Sequence, residues 1–174
     1  MVMNHPSKGG GFPHGFGETI REKLRELERT RHIRILYAAE SGSRAWGMES
    51  VDSDYDVRFI YVRPALNYLG NHPEADTIEL MDGDLDFVGW DLRKAFHLLE
   101  KGNVTPLEWL ASPVVYHECG AELRDVAGGF LQWHRAIAHY HGLSRRAYME
   151  HLKGRTEWPL KKALYSVRAM MMAR

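Results

Sequence analysis

Between Glu40 and Val62 the chain reads ESGSRAWGMESVDSDYDVRFIYV. Gly42-Ser43 is followed by ten residues and then by Asp54-Tyr55-Asp56-Val57, which opens the apolar run Phe59, Ile60, Tyr61, Val62. The run predicts a strand over 54–62. Side chains two apart on a strand share a face, about 6.5 to 7 Å from one another, so Asp54 and Asp56 point the same way. At roughly 4 Å and an effective dielectric near 20, two carboxylates repel by about 4 kcal/mol unless a cation or a proton separates them. A divalent metal relieves that repulsion, and carboxylate oxygens suit Mg²⁺, which fills its shell with water and phosphate oxygens. Glycine at 42 lets the backbone approach a ligand closely, while Ser43 offers a hydroxyl and an amide suited to a phosphate oxygen. The competing reading of the acid pair is a solvated Asx turn.

A chain of 174 residues fits one domain with room for a small appended helical part. Lys and Arg number 23 and so do Asp and Glu, so no global field advertises a nucleic-acid partner, and RNA binding has to be local. The single cysteine, Cys119, excludes an internal disulfide and is compatible with a reducing cytoplasm. No apolar run approaches the roughly 18 to 20 residues that span a bilayer, and no signal-peptide core opens the chain. The expected protein is cytosolic with no membrane contact.

Residues 1–17 carry five glycines and two prolines and read as a flexible leader. Ile20, Leu24 and Leu27 recur at helical spacing and predict an amphipathic helix over 18–31. A strand over 33–39 enters the Gly-Ser turn, and a short helix starting within 44–47 follows it, its amides adding to phosphate binding. Pro64 ends the second strand, 66–75 reads as loop or broken helix, and Asp82-Gly83-Asp84 predicts a hairpin between strands 77–81 and 85–90. Asp91 is placed to cap a helix over 92–101 whose apolar stripe is Leu92, Ala95, Phe96 and Leu99, with Gly102 as its stop. Thr105-Pro106-Leu107-Glu108 reads as a capping box, and 114–116 as a short extended piece. From Ala121 onward the pattern predicts about three helices, broken near Gly128-Gly129, Gly142 and Gly154. The last is still strongly helix-forming where the sequence stops, as a truncated helix would be.

Gly-Ser, a ten-residue gap and Asp-x-Asp at the head of a strand resemble the DNA polymerase beta type nucleotidyltransferase superfamily. The wording GSRAWG, DSDYDVRFIYV, GWDLRKA and LEWLASPVVY resembles more narrowly the RNA repair pathway DNA polymerase beta family, over roughly Ile33 to Tyr116. The resemblance implies an α+β fold, with a nucleotidyltransferase core of a short mixed sheet and flanking helices over 18–116, then a helical C-terminal part over 117–174. It implies transfer of a nucleoside monophosphate from a nucleoside triphosphate to a hydroxyl, with Mg²⁺ or Mn²⁺. Asp54, Asp56 and a third carboxylate would be the metal ligands and catalytic acids, and the acceptor would be an RNA end.

Asp86 is the candidate third acid, because it sits inside an apolar strand where an unpaired charge costs several kcal/mol. Asp84 has the same parity but is explained by the turn, and Asp91 by the helix cap. Gly42, Ser43 and Arg44 are the expected nucleotide contacts, since a guanidinium fork binds phosphate oxygens bidentately. Arg58 shares parity with Asp54 and Asp56, and both a phosphate contact and an ion pair to one of those acids stand for it. Trp46 reads as core packing over base stacking. Lys161, Lys162, Arg168 and Arg174, with Arg145 and Arg146, form a cationic stretch for RNA or a triphosphate tail, against the ordinary reading of a solvated face. The resemblance adds weight to Tyr165 and Arg168. The same residues are compatible with two further functions: modification of a protein hydroxyl, as in the minimal nucleotidyltransferase antitoxins that resemble this core, and a non-catalytic nucleotide-binding module.

Overall fold

The computed structural model describes residues 16–49, 53–70, 74–119 and 122–173. Of the leader expected over residues 1–17, residues 1–15 lie outside them, as does Arg174, while Phe16 and Gly17 belong to the first helix. Helix α1 (Phe16–Arg31) places Ile20, Leu24 and Leu27 on one buried face, as their spacing requires. It begins two residues earlier than expected, and the Phe16 ring stacks on Tyr55 with centroids 4.5 Å apart. Strand β1 (Arg34–Glu40) leads into α2 (Gly42–Ala45), a single turn that starts at the Gly-Ser pair itself rather than after it. Strand β2 (Tyr55–Val62), helix α3 (Ala65–Leu69), the hairpin strands β3 (Thr77–Asp82) and β4 (Leu85–Asp91), helices α4 (Leu92–Glu100) and α5 (Thr105–Leu110), and strand β5 (Val115–Glu118) complete the core.

The five strands run in the order β3-β4-β2-β1-β5, with β2 and β4 parallel and every other pair antiparallel. Along β2 the odd positions Tyr55, Val57, Phe59 and Tyr61 are buried with α1, Ile35 and Phe87 on one face. Ile60 belongs to the other face, with Tyr37, Ala39, Ala95, Leu99, Trp109 and Leu110. Each buried Leu, Ile or Phe contributes about 1.5 to 3 kcal/mol, so both layers are substantial cores. Alternation therefore sends Asp56 and Arg58 to the face covered by α4 and α5, and Asp86 on β4 shares it.

Asp91 caps α4 as expected, accepting from the Arg93 amide at 2.9 Å, and is held by the Tyr68 hydroxyl at 2.8 Å. The capping box at α5 does not form. Thr105 lies inside the helix, its amide bonds to Asn103 Oδ1 at 3.0 Å, and the Glu108 carboxylate turns away to the C-terminal helices. Asn103 takes over the local capping work that the sequence pattern assigned to Thr105.

Helices α6 (Glu122–Gly129), α7 (Trp133–His151) and α8 (Leu160–Met172) follow. Gly142 does not break α7. An interior glycine costs about 1 kcal/mol, less than a 19-residue helix gains by packing along its neighbour. Ser144 and Ser166 meet where α7 and α8 cross, with the Ser166 hydroxyl donating to the Ser144 carbonyl at 3.2 Å, and Ala136 and Ala169 share a cluster with Val104 and Tyr140. On α8, Ser166 and Ala169 are buried and Tyr165 and Arg168 half-buried, while Leu160, Lys161, Leu164, Val167, Met171 and Met172 are exposed. Among the described residues no helix is long and apolar enough to cross a membrane.

Candidate active site

Strand register builds the centre of the site. Asp56 on β2 pairs directly with Asp86 on parallel β4, so acids thirty positions apart in sequence stand side by side. Arg58 lies between them, its Nη2 donating to Asp56 Oδ1 at 2.7 Å and to Asp86 Oδ2 at 2.8 Å. Its Nη1 donates to the Asp86 carbonyl at 2.8 Å and the Val57 carbonyl at 3.2 Å, which welds β2 to β4. The three side chains are 28%, 27% and 16% exposed for Asp56, Asp86 and Arg58, so the cluster sits in a shallow recess and keeps access to solvent. The geometry thus draws the ion-pair reading of Arg58, extended to both acids.

The turn lies against the same carboxylate. Gly42 has φ +58°, and a Cβ there would fall 2.0 Å from Asp56 Oδ2. Only glycine leaves room for the acid to sit under the turn. The amides of Gly42, Ser43 and Arg44 precede the first helical bond, from Ala45 N to Ser41 O, and are the first-turn donors that have no acceptor within the helix. Ser43 is buried. Arg44 spans the gap between turn and strand: its guanidinium lies 4.0 Å over the Tyr55 ring and donates to the carbonyls of Ser53 and Asp54 at 2.6 and 3.2 Å. Asp54 is exposed just ahead of β2 and is the least constrained of the three acids.

Glu40 was not singled out by sequence reasoning, yet it is the best-buried acid here, with 0% exposure. Its Oε1 accepts the Asp56 amide at 2.8 Å and its Oε2 accepts the Tyr116 hydroxyl. Its backbone is pinned as well, by Val114 and by the Ser112 hydroxyl. The carboxylate replaces a backbone acceptor where the β1–β2 ladder ends, and so fixes the segment that carries Asp56. Burial pushes Glu40 above the usual carboxylate range, against the bonds from Tyr116 and Asp56 that favour its charge. A glutamate closing an apolar strand immediately before a Gly-Ser turn was the available signal.

Asp56 is also pushed up, first by burial and then by the charges of Asp86 and Asp54, with Arg58 and Lys161 pulling the other way. Lys161 on α8 is exposed and acts on Asp56 through this longer-range charge. Tyr165 senses the same carboxylate, its hydroxyl pushed up by burial and then by Asp56. Lys162, Arg145 and Arg146 are on α7 and α8 outside this cluster.

The donor set suits a hard divalent cation. The Asp56 anion is disfavoured by burial and then by its acid neighbours, and Arg58 engages one oxygen of Asp56 and one of Asp86, leaving the second oxygen of each outside its grip. Among the described residues no three acidic, histidine or cysteine side chains already converge as a closed cation cage. Mg²⁺ is commonly held by one or two carboxylates with water and substrate phosphates, so an open pair is the form expected of such a site.

A mixed five-stranded sheet flanked by helices, with paired acids beside a glycine turn and a helical C-terminal part, is a polymerase-beta-like nucleotidyltransferase fold. The profile of the RNA repair pathway DNA polymerase beta family matches residues 16–174, and the chain belongs to that family. It is also 40% identical over 158 residues to the Bacillus subtilis (strain 168) protein named uncharacterized protein YcgL. The match covers 88% of this chain and 60% of that protein, so the chain spans less than two thirds of its relative's length.

Proposed function

We propose that this chain transfers a nucleoside monophosphate from a nucleoside triphosphate to a hydroxyl, with an RNA end as the acceptor, acting in the cytoplasm. The observation that carries the reading is the in-register pairing of Asp56 with Asp86 directly beneath the Gly42 turn. Asp54, Asp56 and Asp86 would hold Mg²⁺ or Mn²⁺. When bound, the metal supplies Lewis-acid stabilisation of the charge that develops on the phosphoryl oxygens.

The chain's own groups do the remaining work. The first-turn amides, Ser43 and Arg44 bind the outgoing phosphates, which is a positioning and electrostatic task. Arg58 holds the two acids at a fixed separation, and Glu40 holds the backbone of Asp56. The acceptor oxygen bonds to the α-phosphorus, the bond from that phosphorus to the bridging oxygen breaks, and pyrophosphate leaves. The acceptor's proton goes to the Asp86 carboxylate.

The test is a labelling experiment with each α-³²P nucleoside triphosphate, Mg²⁺ and a pool of RNA bearing free 3′ hydroxyls. Wild type labels the RNA and releases pyrophosphate, while Asp56→Asn and Asp86→Asn lose at least 100-fold of the rate, about 2.7 kcal/mol of barrier. Equal labelling by wild type and both variants refutes the assignment. Label on protein rather than RNA refutes the acceptor.

A further inference from the structure

We propose that Glu108 is a positioning residue that sets α8 against the core beside the Gly-Ser turn, and so fixes where Lys161 on that helix stands when a triphosphate arrives. The proposal rests on the nucleotidyltransferase reading above.

The Glu108 carboxylate serves no local purpose in α5. Its own amide makes the ordinary helical bond to Val104 O, and Asn103 does the capping. Instead its Oε1 accepts from Arg168 on α8 at 2.8 Å and from the Tyr140 hydroxyl on α7 at 3.0 Å. Both carboxylate and guanidinium are 22% exposed, a setting in which charge-assisted bonds keep much of their strength. The far side of the Arg168 guanidinium lies 4.0 Å over the ring of Trp46, three residues beyond Ser43. One carboxylate therefore joins both C-terminal helices to the core beside the Gly-Ser turn.

Beneath this junction lies a mostly apolar cavity of about 220 Å³, with Trp46, Leu107, Tyr140 and Met172 in its wall. The packing there is incomplete, so apolar contact alone fixes α8 loosely and the polar clasp has to supply the register. Arg168 and Lys161 are seven residues apart, about 10 Å along a helix. A swing of about 10 to 20° about the Arg168 anchor moves Lys161 by about 2 to 4 Å, enough to separate its ammonium from a triphosphate bound at the Gly-Ser turn.

The test has two arms that use Glu108→Gln, which keeps the shape and removes the charge. In the first, spin labels at Lys162→Cys on α8 and Glu79→Cys on β3, in a Cys119→Ser background, report the helix-to-core distance distribution by pulsed EPR. A single narrow distribution that broadens in Glu108→Gln, and narrows again when Glu108→Arg is combined with Arg168→Glu, supports the clasp. An unchanged distribution overturns it. In the second arm, Glu108→Gln raises KM for the nucleoside triphosphate about tenfold and lowers kcat by much less. A broadened distribution with KM unchanged overturns the positioning role. Failure of the unsubstituted chain to transfer any nucleotide counts against the nucleotidyltransferase reading alone, because the label distances still decide the clasp.

Discussion

Alanine at Gly42 and alanine at Gly47 separate two effects that a single substitution would confound. Both glycines have left-handed backbone, φ +58° and +65°, where an L side chain costs about 1 to 2 kcal/mol. At Gly47 nothing lies within 4 Å of the added carbon, so Gly47→Ala pays that cost alone. At Gly42 the new methyl would stand 2.0 Å from Asp56 Oδ2 and 2.8 Å from its Cγ, so the carboxylate has to swing aside. In doing so it gives up its 2.7 Å bond to Arg58, and hydrogen bonds to charged groups are worth about 1.5 to 3 kcal/mol, the lower end applying to a group 28% exposed. Gly42→Ala should therefore lose about 2 to 4 kcal/mol of unfolding free energy in urea, against about 1 to 2 for Gly47→Ala. It should also lose nucleotide transfer, which Gly47→Ala should retain. Equal stability losses at the two positions, with transfer intact in both, would refute the placement of Asp56 beneath the turn.

Glu40 gives a pH signature. Its folded-state carboxyl titrates above its ordinary value of 4.5, so it contributes stability that is present below that value and is lost as pH rises through the folded one. Glu40→Gln removes this dependence, so urea unfolding at pH 4 and pH 7.5 should show the variant gaining on the wild type as pH rises; a constant difference contradicts the buried-charge account. Glu40→Ala instead leaves the Asp56 amide and the Tyr116 hydroxyl without this acceptor and should cost at least about 2 kcal/mol. Arg58→Met strips the shared counter-ion from Asp56 and Asp86 and should destabilise by about 2 to 4 kcal/mol at neutral pH, with Mg²⁺ restoring more stability to the variant than it adds to wild type. Identical Mg²⁺ responses would speak against the acids as a cation site. Gly89→Ala should unfold readily at elevated temperature, because its methyl would meet the Phe59 ring at 2.1 Å inside the sheet.

Features set by short-range rules were legible in the chain itself. The spacing of Ile20, Leu24 and Leu27 placed α1, Asp-Gly placed the β3–β4 hairpin, and Asp91 was visible as a cap. Asp56 and Asp86 were both recognisable, one from its motif and the other because a charge inside an apolar strand needs a partner. What local pattern could not supply was register. That Asp56 opposes Asp86, and that Arg58 binds both, follows from a parallel pairing of strands separated by α3 and β3. Glu40 looked like the last residue of a strand until the end of the β1–β2 ladder put the Asp56 amide against it. Glu108 was misassigned for a related reason: its i−3 threonine suggested a local cap, whereas its partners lie 32 and 60 residues away.

The most direct test of the central claim is nucleotide binding itself, measured as thermal stability with each nucleoside triphosphate, with and without Mg²⁺, for wild type and Asp56→Asn. At about 100 times its dissociation constant a ligand stabilises the fold by roughly 2.7 kcal/mol, a rise of about 5 to 10 °C in Tm for a chain of this size. Wild type should show that rise with Mg²⁺, and Asp56→Asn should lose it. No shift with any triphosphate, or an equal shift in Asp56→Asn, contradicts it.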